Sequence, residues 1–372
     1  MRLDPDIWNK RTILAVFIEF IIALNIDIYG TAYAFWMSIH DLGSLIAMAV
    51  IIVTIVDVIG WTISGVLVDQ YGTKKVQFVS LLVLLITGVI GAMLDGLFLL
   101  CCLFLRFLIC GIALIANQIQ IRGLLQEEKQ EKGVGQLVVV GFAGAVIGAS
   151  MGSWLAYEHQ TVWKWVGPIL TIFGIVALMY TQQSNRVPEK ASILPHPEVF
   201  KLVFPMMSFS ICRGMMVAYV VVDFGVSDGS IFRTGMYVGS GVSGWVLPSL
   251  LKHTNQKTFI RVGVFLMSGA MLFLYWRNLA GLMVASFAIG FISNGISNQI
   301  LGTKVYLLTD QKGRADSTNR LTQGVSSIIG IYGLGMIRDH VGEAVWLTLP
   351  IILLISLPAF GWTFRHCSAW KK

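Results

Sequence analysis

The chain has 372 residues, 56% of them hydrophobic and only 13% charged, with a mean hydropathy of +0.75. A soluble domain carries about 25% charged residues, so this composition excludes an ordinary soluble fold and points to repeated membrane spans. The formal net charge of +7 would suit a nucleic-acid partner only if it formed one basic patch, and it does not.

A helix needs roughly 20 apolar residues to cross the hydrocarbon core. Twelve such runs follow in order: 12–35, 42–67, 76–94, 97–118, 137–156, 162–180, 203–222, 236–251, 262–276, 280–301, 321–337 and 345–364. No period-two alternation marks a membrane barrel, which leaves α-helices to satisfy the backbone in lipid. The polar stretch 185–201 separates six runs from six. The expectation is an all-α integral membrane protein with an N-terminal six-helix bundle over 1–184 and a C-terminal one over 202–372.

Both termini are expected on the cytoplasmic side. Arg2, Lys10, Arg11, Lys74, Lys75, Arg122, Lys129, Lys132, Arg186, Lys190, Lys201, Lys252, Lys257, Arg261, Lys304, Lys312, Arg314, Arg320, Arg365, Lys371 and Lys372 then fall inside. Only Lys164, Arg233, Arg277 and Arg338 fall outside. That asymmetry is the positive-inside rule, so the charge reports topology and no nucleic-acid partner is expected. The first run contains Ala32-Tyr33-Ala34, but it is too long for a signal peptide and carries Glu19 and Asp27, so it reads as an uncleaved helix. Five cysteines, an odd number without a CxxC, give no disulfide framework and no metal site. There is no P-loop and no HExxH, and a G-x-S-x-G match at 148–152 sits inside an apolar helix rather than a strand-to-helix turn. No cofactor and no enzyme activity are expected.

Charged groups inside spans cost roughly 2.5–3.5 kcal/mol each at a helix centre and mark candidate sites. They are Glu19, Asp27, Asp57, Arg106 and Arg213. Glu19 has no evident partner, which makes it a candidate proton carrier. Asp27 lies about two turns, or ~12 Å, further along the first helix, at a depth that suits a pair with Arg106. Arg213 reads equally as an anchor for an anionic group or as half of a structural pair. Asn294, Asn298 and Gln299 form a polar stripe that either lines a cavity or bonds neighbouring helices.

The turn after the second run reads GVLVDQYGTKKV, with Gly65, Leu67, Asp69, Gly72, Lys74 and Lys75 in the pattern G-x-L-x-D-x-x-G-x-[RK]-[RK]. A faint internal repeat sets residues 65–74 against 248–257, with Asn255 where Gly72 stands, as if for a left-handed turn. The turn resembles the inner-loop signature of the major facilitator superfamily, although Gln70 and Thr73 replace frequent arginines. Arg106 with Gly111 partly matches the family's fourth-span pattern, and Trp163 to Gly167 is similar to the start of its sixth span. Gly144, Gly148 and Gly152 resemble its fifth-span antiporter signature, with Ala149 in place of the proline and Ser153 in place of the last glycine.

The resemblance implies two helical bundles around a central cavity, working by alternating access. It implies that Asp69 latches the bundles at the inner face, with the start of the eleventh span as its neighbour and Arg122 as a second partner. It also implies a monomer in a bacterial cytoplasmic membrane, with protons, a small solute and the lipid bilayer as partners. The expected activity is proton-driven export of small amphipathic or cationic compounds. Export of a siderophore or another anionic metabolite, with Arg106 and Arg213 as anchors, and uptake by proton symport are the alternatives.

Overall fold

The structure, a computed structural model, describes residues 7–39, 46–125, 130–159, 161–181, 195–276 and 278–370. Arg2, Lys129, Arg186, Lys190, Arg277, Lys371, Lys372 and most of the expected linker lie outside them. All regular structure among the described residues is helical. In chain order the helices are α1 (Lys10–Ile39), α2 (Ile46–Tyr71), α3 (Thr73–Ala92), α4 (Gly96–Leu124), α5 (Gln130–Glu158), α6 (Trp163–Met179), α7 (Pro197–Val203), α8 (Met206–Phe224), α9 (Val226–Leu250) and α10 (Gln256–Tyr275). Then α11 (Leu279–Asn294) passes through a π-helical segment, Gly295–Leu301, into α12 (Gly302–Leu308), and α13 (Lys312–Ile329) through Gly330–Leu334 into α14 (Gly335–Val341). A 3-10 turn, Gly342–Leu347, leads to α15 (Thr348–His366).

By length and apolarity, 8 helices among the described residues can cross a membrane, or 9 if the bent pair α7–α8 counts as one. The pair bends by 64° at Pro205, whose ring and missing N–H break the ladder. The helix α6, at 17 residues, is short. Two helices begin well before their apolar runs. The start of α9 is Val226 rather than 236, and that of α13 is Lys312 rather than 321.

Helices α1 to α6 pack on one another, as do α8 to α15. The largest core cluster draws only on residues from Val199 to Cys367, and the others only on residues from Ile7 to Leu178. Within the N-terminal half, the fifth-span glycines form a ladder against α1. A Cβ on Gly144, Gly148 or Gly152 would lie 2.6, 2.8 or 2.6 Å from the carbonyl oxygens of Phe20, Leu24 and Ile28. Both helices step by four residues, so one face of α5 lies directly on the backbone of α1, as small residues allow in membranes. Gly148→Leu is expected to cost about 3 kcal/mol by overpacking and to lower the melting temperature in detergent by roughly 5–10 °C. Unchanged melting would contradict the ladder.

The halves meet along α2 with α13 and α5 with α9. A Cβ on Gly135 of α5 would sit 2.8 Å from the Gly244 carbonyl of α9. The internal repeat holds in position but not in conformation. Gly72 caps α3 at φ 82°, which needs glycine. Asn255 caps α10 at φ −65°, its side-chain oxygen accepting from the Lys257 N–H at 2.9 Å. Asparagine here replaces a left-handed turn with a side-chain cap.

Candidate functional site

At the C-terminal end of α2, Asp69 faces the first turn of α13. Its Oδ1 accepts from the Gly313 N–H at 3.0 Å and its Oδ2 from the Arg314 N–H at 2.8 Å. These N–H groups have no partner within their own helix, and the helix dipole favours the carboxylate. The close approach depends on two glycines. A Cβ on Gly313 would lie 2.6 Å from the Asp69 Oδ1, and one on Gly65 would overlap the Ser317 hydroxyl. That hydroxyl donates to the Trp61 carbonyl at 3.1 Å. The signature lysines act within the N-terminal half. Lys74 donates to the Thr181 carbonyl at 2.6 Å and Lys75 lies over the Tyr71 ring.

Arg122, in the last turn of α4, pairs with Asp316 of α13 at 3.1 Å, and both side chains are almost wholly buried. A carboxylate from each half therefore reaches across at this end. At the opposite end, Lys164 pairs with Asp95 and Arg338 with Asp223, each inside its own half. The protein is thus fastened across its halves at the Asp69 end. Asp69→Asn replaces two charge-assisted bonds by one weaker acceptor, a loss of about 1–2 kcal/mol. A shift of roughly 5- to 30-fold toward states open at this end is expected. It is read as faster labelling of a Ser317→Cys reporter in a background without the native cysteines. An unchanged rate would show that Asp69 carries no latch energy.

Glu19 is 2% exposed, and the structure gives it partners that the sequence did not reveal. Asn117 Nδ2 donates to its Oε2 at 2.7 Å and Gln118 Nε2 to its Oε1 at 3.0 Å, both from α4. Gln77 of α3 donates to Asn117 at 2.9 Å. Gln118 also accepts from Arg320 of α13 at 2.6 Å, and Arg320 lies 3.9 Å from Asp316. Hydrogen bonds therefore run from Glu19 through Gln118 to Arg320, whose guanidinium ends at ion-pair distance, not hydrogen-bond distance, from the Asp316 carboxylate. Its contacts to Glu19 come from neutral amides. Gly141 makes room for the side chain, since a Cβ there would lie 2.9 Å from the Glu19 Cγ.

Asp27 and Arg106 do not pair as their depths suggested. Asn25 and Tyr29, four residues apart, share the face of α1 turned to α4, whereas Asp27 lies about 200° from Asn25 around the helix. Arg106, 3% exposed, donates to Asn25 Oδ1 at 2.9 Å and to the Leu84 carbonyl at 3.1 Å, and its guanidinium stands 4.1 Å from the Tyr29 ring centre. It is locked inside the N-terminal half. Asp27 instead accepts from the Tyr237 hydroxyl of α9 at 2.7 Å. This bond crosses between the halves.

Four further groups occupy or border the middle. Asp57 on α2 is half-buried and Arg213 on α8 is exposed; neither makes a hydrogen bond or ion pair among the described residues. Arg233 was expected in an outer loop, but it sits within α9, one turn from Tyr237. Asn294 donates to the Ser240 carbonyl at 2.9 Å and accepts from Asn298 at 2.7 Å, and Gln299 donates to Ser243 at 3.2 Å. That stripe bonds α11 and its π segment to α9, and Asn298 borders Gln118 and Arg122 in a small recess.

The family model described as Major Facilitator Superfamily matches residues 15–331. The chain belongs to this family: it is an integral, multi-pass membrane transporter and not an enzyme. No curated protein matches the sequence. Among solved structures, the human organic anion transporter MFSD10 (TETRAN) superposes with a TM-score of 0.73 at 13% identity, over 96% of this chain and 100% of that one. A variant of the E. coli fucose:proton symporter FucP gives 0.71 at 12% identity, over 95% and 98%. At such identities the likeness concerns the fold alone.

Proposed function

We propose that this chain is a proton-coupled secondary transporter that exports a small organic solute by alternating access between two six-helix bundles, with both termini cytoplasmic and the monomer as the working unit. The observation that carries the reading is Glu19. It is a carboxyl buried in a span, contacted by Asn117 and Gln118, and joined through Gln118 and Arg320 to a cross-half ion pair. A proton arriving on Glu19 removes its charge and weakens its hold on Gln118, which loosens the neighbouring Arg320 and the latch. Proton binding and the opening of one end thus share one set of bonds. Asp69, Gly65 and Gly72 shape the gate, Lys74 and Lys75 orient it toward the cytoplasm, and Gly144, Gly148 and Gly152 hold α1 rigidly on α5. Arg106 and Asn294 serve the packing of their own halves.

The first-span acids suggested a cationic or amphipathic solute. Two arginines sharing the middle with Asp27 and Asp57 change that balance. The direct test uses proteoliposomes holding a trapped pH-sensitive dye, with outward gradients of benzoate, phenylacetate or tetraphenylphosphonium and no imposed pH gradient. Solute efflux through the protein is expected to drive protons inward. Solute flux with no proton movement would overturn proton coupling.

A further inference from the structure

Arg233 has an unusual setting. Its guanidinium lies 3.7 Å from the position a Gly30 Cβ would take, an ordinary contact distance, so it reaches from α9 to the α1 backbone of the other half. Gly30 is three residues beyond Asp27, and Arg233 is four before Tyr237, so the guanidinium stands about one turn beyond the Asp27–Tyr237 bond. It has no hydrogen-bond or ion-pair partner among the described residues. Near it, the Tyr33 hydroxyl is buried and also unpartnered. A buried hydroxyl without a partner costs about 1–3 kcal/mol, and an arginine at span depth is expensive unless it serves a ligand or a partner. Arg213 supplies a second cation facing the same middle from α8. Arg213 is exposed on α8, which packs against α2 of the N-terminal half and against α13.

We propose that Arg233, with the Tyr33 hydroxyl and Arg213, binds the carboxylate of a small amphipathic organic anion in the space between the halves. This rests on the transporter reading above and names the solute class for it. A guanidinium presents a planar fork that matches a carboxylate bidentately, and a phenol hydroxyl adds a third donor. The apolar body has a place as well. Arg233, Tyr237 and Gly241 follow one another at four-residue spacing along one face of α9. Beyond Tyr237 that face borders an open, apolar groove of about 470 Å³ between α5 and α9, lined by Phe142, Tyr237 and Trp245 among others and not by Arg233 itself. The acids facing the same middle do not cancel the site. Asp27 has a hydrogen bond from Tyr237, Glu19 lies deeper toward the latch on its amides, and neither Asp27 nor Asp57 forms an ion pair with Arg213 or Arg233 among the described residues. Asp27 and Asp57 are the groups that repel an anion, and of the two only Asp57 has no hydrogen-bond partner among the described residues.

Binding is measured as ligand-induced thermal stabilisation of purified protein in detergent at one pH, so that no proton gradient enters. Phenylacetate and 3-phenylpropionate are compared with phenethylamine as the matched cation, each up to 10 mM on the order of common weak-ligand screens. The carboxylates are expected to stabilise the wild type and the amine not to. Arg233→Gln is expected to weaken carboxylate binding at least ~10-fold, with Arg233→Lys weakened less, while Asp57→Asn keeps or improves it. Each variant is accepted only if it elutes as a single species with wild-type melting in the absence of ligand; Arg213→Gln serves in place of Arg233→Gln if the latter fails this. Stabilisation by the amine and its loss in Asp57→Asn would overturn the proposal, as would no stabilisation by either carboxylate. Glu19→Gln is expected to bind the carboxylates as the wild type does. Failure of proton coupling therefore leaves this result standing, and the converse holds.

Discussion

Asp316→Asn is expected to unfasten the Asp69 end almost completely. Asp316 and Arg122 have side chains only 2% and 5% exposed, so removing the carboxylate takes away the buried negative charge that faces two arginines, Arg122 and Arg320, between the halves. Breaking a buried pair from one side costs about 3–5 kcal/mol, roughly a 10²- to 10⁴-fold change in the balance between closed and open forms. That exceeds the effect of Asp69→Asn, whose partners are backbone N–H groups that water can satisfy. The double change Asp316→Asn with Arg122→Gln is expected to recover part of the loss, because one of the two guanidiniums that face Asp316 is removed with it and only Arg320 keeps its charge. Spin labels on Tyr71 and Leu307, both exposed near this end, would report a longer distance in the single variant and a partial return in the double. A wild-type distance in Asp316→Asn would mean that the ion pair does not hold the latch.

Glu19→Gln is expected to abolish transport driven by a pH gradient, reducing it at least 10-fold on the order expected for loss of a required proton carrier, while solute-for-solute exchange continues. Glutamine fits the Gly141 recess, but it carries no proton that can leave. Its amide also brings N–H donors where Asn117 and Gln118 already donate, so one of the bonds at 2.7 and 3.0 Å must be given up. Loss of both driven transport and exchange would indicate a structural defect. Full driven transport would remove Glu19 from the coupling path.

The sequence made some of this site legible. The Asp69 turn was readable because Gly, Asp, Gly and Lys recur in a fixed pattern at the mouth of a span, and the start of α13 is where its partners lie. The glycines at 144, 148 and 152 were readable because four-residue spacing has one meaning on a helix. The rest failed for one shared reason. Hydropathy ends a span where polar residues begin, yet α9 and α13 start with the polar residues that face the other half. Arg233, Asp316 and Arg320 were therefore assigned to loops or left unused. Gln118, Asn117 and Tyr237 are ordinary residues in apolar runs, and only the fold brings them to Glu19 and Asp27. The Asp27–Arg106 pairing came from matching depth alone, and azimuth around α1 decided otherwise. Around the α1 axis, Asp27 stands apart from the Asn25–Tyr29 face.

The most direct test of the central claim follows both ends at once. Distances are measured between labels on Tyr71 and Leu307 near the latch, and between labels on Phe98 and Val341 at the opposite end, all exposed positions, at pH 5.5 and pH 8, values chosen to bracket neutrality on the order of ordinary carrier assays. Protonation discharges Glu19 and frees Gln118. Lowering the pH is thus expected to lengthen the first distance and shorten the second in the wild type, while Glu19→Gln holds the low-pH distribution at both values. Distances that ignore pH in the wild type, or that respond equally in Glu19→Gln, would contradict the account.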